Sequence, residues 1–134
     1  MIFGRRLQKA LSDNDSAFYS SLKEILGFSP KSLTYYQRAF VHRSMNQKDE
    51  KGAPINYERL EFLGDAMIGV IISKYLFKEV PSGNEGYLTK MRSKIVSRNH
   101  LNELGKELGL EQYLQSKISK DQFGENLHGN LFEA

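Results

Sequence analysis

The amino-acid sequence predicts an all-α fold, a single-domain helical bundle, and three observations support this prediction. The 134 residues are enough for one hydrophobic core but not for two. Apolar residues recur at helical rather than alternating spacing through most of the chain. Only three prolines interrupt it, at Pro30, Pro54 and Pro81. We therefore expect one helical domain over residues 1–134.

Capping residues and apolar spacing divide the chain into six predicted helices. They cover residues 17–27, 31–45, 56–80, 85–98, 99–110 and 125–134. The first has candidate N-caps at residues 12–15 and ends at Gly27. Asn56 is the candidate N-cap of the longest helix, and Ser97 or Asn99 is the candidate cap of the fifth.

Composition limits the classes of function without selecting one. The formal net charge of +3 permits contact with nucleic acid but does not require it. The absence of cysteine excludes disulfides, thiolate metal sites and cysteine nucleophiles. No stretch resembles a secretory signal or a membrane span, so we expect a cytoplasmic protein.

Three acidic residues fall on one side of the longest predicted helix. Glu58, Glu61 and Asp65 are spaced by three and four residues, which places them within about 60° around the helix axis. The opposite side is predicted to face the core through Leu60, Leu63, Met67, Val70 and Ile71. Clustered carboxylates without histidine or cysteine favour Mg²⁺ or Mn²⁺ as a counter-ion.

A simpler interpretation of the three acids stays open at this point. Acidic side chains are favoured in the first turns of any helix, where the helix dipole is positive. Gly64 argues for a more specific role, because a glycine inside a helix costs about 1 kcal/mol relative to alanine. We therefore expect another backbone or a ligand to approach the helix closely at Gly64.

Four sequence elements resemble the conserved motifs of the ribonuclease III family. They are AFVHRS at 39–44, NYERLEFLGDAMIG at 56–69, EGYLTKMRSKIVSRNHL at 85–101 and GNLFEA at 129–134. Their number and order make the resemblance specific. It implies the fold of the ribonuclease III endonuclease domain and metal-assisted hydrolysis of double-stranded RNA, in RNA processing such as that of ribosomal RNA precursors.

The resemblance also implies the residues of the site. Four positions would hold the metal: Glu61, Asp65, Asn130 and Glu133. Asp65 and Glu133 would be catalytic, with Glu58 supporting them near the scissile strand. The implied cofactor is Mg²⁺, with Mn²⁺ as a second possibility. Asn130 departs from the family, which usually has aspartate there, and an amide supplies an oxygen ligand without a negative charge. We therefore expect weaker metal binding and a preference for Mn²⁺.

Contacts with RNA and with a second subunit are expected at other positions. Arg43 either pairs with the acidic helix or contacts RNA. Lys90, Lys94 and Arg98 form either a solvated face of the fourth helix or a ridge that contacts phosphates. The family cuts both strands of a duplex as a homodimer, and the resemblance places Phe62 in the dimer contact. Burial of Phe62 in the core is the alternative.

Two other functions remain open from the sequence. A non-cleaving double-stranded-RNA-binding or assembly module with the same fold is favoured by Asn130, whereas Glu61, Asp65 and Glu133 argue against it. An all-α nucleotide pyrophosphohydrolase also uses helical acids and magnesium, but it gives no role to the AFVHRS element. The chain ends inside a predicted helix and lacks the double-stranded-RNA-binding domain that usually follows, so we expect a C-terminally incomplete catalytic domain.

Overall fold

The computed structural model describes residues 12–134 and is helical. Its six α-helices are α1 (Asp13–Leu26), α2 (Thr34–Ala39), α3 (Glu58–Glu79), α4 (Glu85–Ile95), α5 (Arg98–Glu107) and α6 (Leu127–Glu133). Three short 3₁₀ turns lie at Arg43–Met45, Leu110–Tyr113 and Lys120–Gln122. Extended backbone pairs only at two isolated bridges among the residues described. The all-α prediction is confirmed. No helix in residues 12–134 combines the length and apolar character needed to cross a bilayer.

Helix α1 belongs to an N-terminal unit that ends at residue 33, and residues 34–134 form a second unit. The Ser12 side chain accepts a hydrogen bond from the Asp15 N–H at 3.1 Å and so caps the helix. Gly27 ends it with a positive φ of 72°, and its N–H donates to the Lys23 carbonyl at 3.0 Å. The predicted capping region and the predicted glycine stop are both confirmed.

Helix α2 is much shorter than the predicted helix over residues 31–45. After Ala39 the backbone pairs with a distant segment: the Gln115 N–H donates to the Phe40 carbonyl at 2.8 Å, and the His42 N–H donates to the Gln115 carbonyl at 2.9 Å. These bonds place Val41 in a parallel bridge with Gln115 directly after the turn at Phe40, which excludes a continuous helix. The prediction of a single helix here was wrong because it could not include this long-range pairing.

The break between α4 and α5 lies at Ser97. Helix α4 ends at Ile95, and the Ser97 side chain accepts a hydrogen bond from the His100 N–H at 3.3 Å. Of the two candidate caps, Ser97 rather than Asn99 therefore begins α5. The predicted fourth helix ended at residue 98 and placed Arg98 on one face with Lys90 and Lys94. Arg98 is instead the first residue of α5, so it does not share a face of α4 with the two lysines.

Helix α6 packs against both α5 and α3 and lies in the interior of the second unit. Small residues allow its approach to α5, because a Cβ on Gly105 would overlap the backbone carbonyl of His128. The Gly129 N–H also donates to the Asn102 side-chain oxygen at 2.8 Å. The buried apolar residues of this unit are Ala39, Phe40, Val41, Tyr57, Leu76, Leu101, Leu110, Leu127 and Leu131.

The approach of α6 to α3 is closest at Gly64. A Cβ built on Gly64 would overlap the backbone carbonyl oxygen of Glu133. The helices can therefore meet at this point only because residue 64 has no side chain. The expectation that another backbone approaches Gly64 is confirmed, and the approach brings the end of α6 to the acidic turns of α3.

The predicted core side of α3 is exposed in the second unit. Leu63, Met67, Val70 and Ile71 are each more than half exposed, and only Leu60 is partly buried. Apolar residues occur on all sides of α3, so their spacing does not identify which side packs against α4 and α6. The prediction was wrong for these four residues, and an apolar surface lies along α3.

Replacing Gly64 by alanine tests the approach of the two helices. We expect Gly64→Ala to lower the free energy of unfolding by about 3 kcal/mol, because α6 must move to accommodate a methyl group. Urea unfolding followed by circular dichroism measures this change. Gly86→Ala is the control, since its Cβ would meet only the Asn84 side-chain oxygen at an ordinary 3.6 Å. Equal stability of the two variants would contradict the packing described here.

Candidate functional site

Helix α6 approaches the acidic turns of α3 at the Gly64 contact. Glu58 and Asp65 are exposed on α3, Glu61 is partly buried between them, and Glu133 arrives from α6. Burial raises the pKa of Glu61, and the negative charge of Glu133 raises it further. The charge of Asp65 likewise contributes to raising the pKa of Glu133. The three side chains therefore act on one another across two helices.

Glu133 is the most deeply placed of these acids. Only 1% of its side chain is exposed, and burial raises its pKa. Arg98 opposes this shift, because its Nη1 donates to the Oε2 atom of Glu133 at 3.0 Å. A buried carboxylate without such a partner would be strongly unfavourable. Arg98 is therefore the group that stabilises the charged form of Glu133.

Asn130 is bonded to the same guanidinium as Glu133. Its Oδ1 accepts a hydrogen bond from Arg98 Nη1 at 2.9 Å, and its side chain also lowers the pKa of the nearby Tyr57 hydroxyl. Burial raises the pKa of the Tyr57 hydroxyl, the charge of Glu61 adds to this, and the bond to Asn130 opposes it. Sequence reasoning missed Tyr57 and the two contacts of Arg98, since no spacing rule connects residues so distant along the chain.

A polar cavity of about 600 Å³ opens beside these residues. Glu58, Glu61 and Asn130 line one part of it, and Arg43 lines another. The Nη1 atom of Arg43 lies 3.4 Å from the Oε1 atom of Glu58, and both side chains are at least half exposed. Such an exposed pair adds little stability, so Arg43 is available to a ligand that enters the cavity.

His42 organises the turn that carries Arg43. It is buried, and its Nδ1 accepts a hydrogen bond from the Ser44 N–H at 3.1 Å. Burial lowers the pKa of His42, and the neighbouring charge of Arg43 lowers it further. His42 is therefore a neutral capping residue of the 3₁₀ turn Arg43–Met45.

The donor set fits a hard divalent cation by its chemistry. Glu61, Asp65 and Glu133 offer carboxylate oxygens and Asn130 offers an amide oxygen, which are ligands that Mg²⁺ and Mn²⁺ prefer. The pKa of Glu61 is raised by burial and by the charge of Glu133, that of Glu133 is raised by burial and by the charge of Asp65, and a cation would relieve this repulsion. In this conformation no three acidic or histidine side chains of residues 12–134 converge closely enough to hold an ion.

The remaining predicted residues lie outside this cluster. Lys90 and Lys94 are exposed on α4, whereas Arg98 is turned to Asn130 and Glu133. Phe62 is 82% exposed, so its side chain is not part of the core of the second unit. Arg43, Glu58, Glu61 and Asn130 thus line one cavity, and Arg98 links Asn130 to Glu133, whereas the two lysines lie on α4.

Comparison with known proteins assigns the chain to a family. Residues 33–132 match the family model described as Ribonuclease-III-like. Ribonuclease 3 of Flavobacterium psychrophilum is 65% identical over 123 residues, which make up 92% of this chain and 50% of that protein. Ribonuclease 3 of Zunongwangia profunda is 60% identical over 130 residues, or 97% of this chain and 54% of that protein. The chain spans about half the length of these curated relatives.

Solved structures agree in fold. The nuclease domain of ribonuclease III from Campylobacter jejuni superimposes with a TM-score of 0.71 at 24% identity, over 84% of this chain and 78% of that one. Dicer from Pichia stipitis superimposes with a TM-score of 0.56 at 30% identity, over 77% of this chain and 42% of that one. With the family model matching most of the chain, these findings show that the protein belongs to the ribonuclease III family.

Proposed function

We propose that the protein is an endoribonuclease that cleaves double-stranded RNA by divalent-metal-assisted hydrolysis of phosphodiester bonds. The observation that carries this proposal is the packing of α6 on Gly64, which sets Glu133 beside the acids of α3. Relatives at up to 65% identity carry the name Ribonuclease 3 and support the same activity. RNA processing in the cytoplasm, including that of ribosomal RNA precursors, is the cellular role we propose.

Different residues of this chain would bind the metal ion and orient the RNA strand. Glu61, Asp65, Glu133 and the Asn130 oxygen would hold Mg²⁺ or Mn²⁺. When bound, such a cation lowers the pKa of a water molecule and stabilises charge on the phosphoryl group and the leaving 3′-oxygen. Glu58 lines the cavity and would orient the scissile strand. The buried surroundings of Glu133 would keep water from competing for its carboxylate.

Basic side chains outside the acidic cluster would bind the RNA backbone. Arg43 lines the cavity, and Lys90 and Lys94 are exposed on α4. A-form RNA is recognised through phosphates and 2′-hydroxyls rather than base edges, so such contacts suit a duplex of any sequence. We do not propose Arg98 as an RNA contact, because its guanidinium is bonded inside the site.

A homodimer would supply the second cut of a duplex. The exposed apolar surface of α3 includes Phe62, and a cavity of about 570 Å³ lies beside it, lined in part by Tyr35, Leu60 and Leu63. A side chain and a cavity on the same face can pair reciprocally with a second copy across a two-fold axis. The nuclease domain from Campylobacter jejuni likewise has a region involved in dimer formation.

Asn130 supports one alternative function. With an amide in place of the usual aspartate, the site would have three carboxylates from Glu61, Asp65 and Glu133, and the protein could bind double-stranded RNA without cleaving it. A nucleotide pyrophosphohydrolase was the other alternative from the sequence. It is wrong, because the chain belongs to the ribonuclease III family.

Removing the buried carboxylate tests the proposed cleavage. We expect the full-length protein to cleave perfectly paired RNA in Mg²⁺, and Glu133→Gln to slow cleavage by more than about a hundredfold, since the loss of a ligand costs more than the loss of an outer-shell partner. Single-turnover cleavage of a labelled duplex measures the rate. Glu79→Gln, at the exposed far end of α3, is the control and should leave the rate unchanged.

Two results would contradict the proposal. Cleavage by Glu133→Gln at the rate of the unmodified protein would exclude a role for this carboxylate. Tight binding of the duplex with no cleavage in either Mg²⁺ or Mn²⁺ would establish the non-cleaving alternative.

Truncating Phe62 tests the proposed dimer. We expect Phe62→Ala to weaken self-association by about 2 kcal/mol, or roughly 30-fold in Kd, as for a central aromatic anchor. Sedimentation equilibrium measures the Kd. Tyr87→Ala, which removes another exposed aromatic ring on α4, is the control and should not change it. A Phe62→Ala protein that associates as tightly as the control would rule out this contact.

A further inference from the structure

One guanidinium occupies two of the atoms that the candidate metal site would use. Arg98 Nη1 donates both to Asn130 Oδ1 at 2.9 Å and to Glu133 Oε2 at 3.0 Å. These two residues are the whole contribution of α6 to the proposed ligand set. The guanidinium of Arg98 therefore places a positive charge next to the atoms that would bind the metal ion.

The burial of Glu133 explains why a positive charge is needed there even without a metal. Its side chain is 1% exposed, whereas that of Arg98 is 43% exposed. A buried carboxylate without a counter-charge is strongly destabilising, and an arginine that reaches in from the surface can offset this cost. The fold of the metal-free protein thus depends on Arg98 at this point.

Asn130 increases the competition between Arg98 and a divalent ion for the same oxygen atom. An amide has a single oxygen, and the Oδ1 atom of Asn130 already accepts a hydrogen bond from Arg98 at 2.9 Å. Aspartate at this position would offer a second oxygen to a metal while the first bonded to Arg98. With Asn130, the same oxygen must serve both cations.

We propose that Arg98 is a positioning residue that acts as the resident counter-cation of the site and competes with the divalent ion for Glu133 and Asn130. This inference rests on the proposed function, because it requires that a divalent ion binds here. Like charges repel, so an arginine that stays close to the bound ion weakens its binding, and one that leaves must first break two hydrogen bonds. Either way, Arg98 lowers the affinity for the metal while it stabilises the metal-free fold.

Metal binding to the full-length protein tests this competition. We expect Arg98→Gln to bind Mn²⁺ about tenfold more tightly than the unmodified protein, since one nearby positive charge is removed. The loss of the free Mn²⁺ signal in electron paramagnetic resonance measures the Kd. Arg98→Gln should also have a lower Tm without metal and a larger rise in Tm on adding Mn²⁺.

Two further variants make the test specific. Arg92→Gln removes the same charge from α4, where Arg92 donates to the Ser73 hydroxyl at 2.9 Å, and should leave the Kd for Mn²⁺ unchanged. Arg98→Lys keeps the charge but replaces the guanidinium with a shorter ammonium group, so we expect an intermediate Kd. If Arg98→Gln does not fold, the Kd of Arg98→Lys for Mn²⁺ still tests the inference.

The outcomes separate this inference from the proposed function. Unchanged or weaker Mn²⁺ binding by both Arg98 variants, with Tm lowered equally with and without Mn²⁺, would show a purely structural ion pair and overturn the inference alone. No Mn²⁺ binding by the unmodified protein or by any variant would overturn the metal site together with the inference.

Discussion

The candidate site depends on one close contact between two backbones. Helix α6 can place Glu133 beside α3 only because residue 64 is glycine, and any side chain there would overlap the Glu133 carbonyl. The contact joins acids that are far apart in the sequence, and packing of α6 on α5 holds it in place. Metal binding and catalysis in the proposed mechanism both follow from this geometry, since neither helix alone offers enough ligands for a hard cation.

Bringing carboxylates together creates an electrostatic cost that the protein must offset. Burial and mutual repulsion raise the pKa of Glu61, and burial raises that of Glu133. Arg98 offsets part of this cost in the folded chain, and a divalent ion would offset more of it. The same arginine that stabilises the metal-free fold would therefore set how readily the site accepts its metal.

Much of the architecture could be predicted from local sequence, and the errors have physical causes. The caps at Ser12 and Ser97 and the stop at Gly27 follow from local chemistry, and Gly64 correctly indicated a close backbone approach. Helix α2 was predicted too long because its end is determined by backbone pairing to a distant segment.

The remaining differences concern contacts between distant parts of the chain. The exposed apolar side of α3 could not be told from its packed side, because apolar residues surround the helix. The resemblance to the family indicated Asn130 and Glu133, but no local pattern revealed that Arg98 donates hydrogen bonds to both of them.

Anomalous diffraction from crystals of the full-length protein grown with Mn²⁺ tests the central claim most directly. We predict one Mn²⁺ within about 2.3 Å of oxygens from Glu61, Asp65 and Glu133 of the same chain. The hydrogen bond between Arg98 and Glu133 should then be broken or moved to another oxygen of Glu133. An ion bound only by α3, with Glu133 still paired to Arg98 at saturating Mn²⁺, would contradict it.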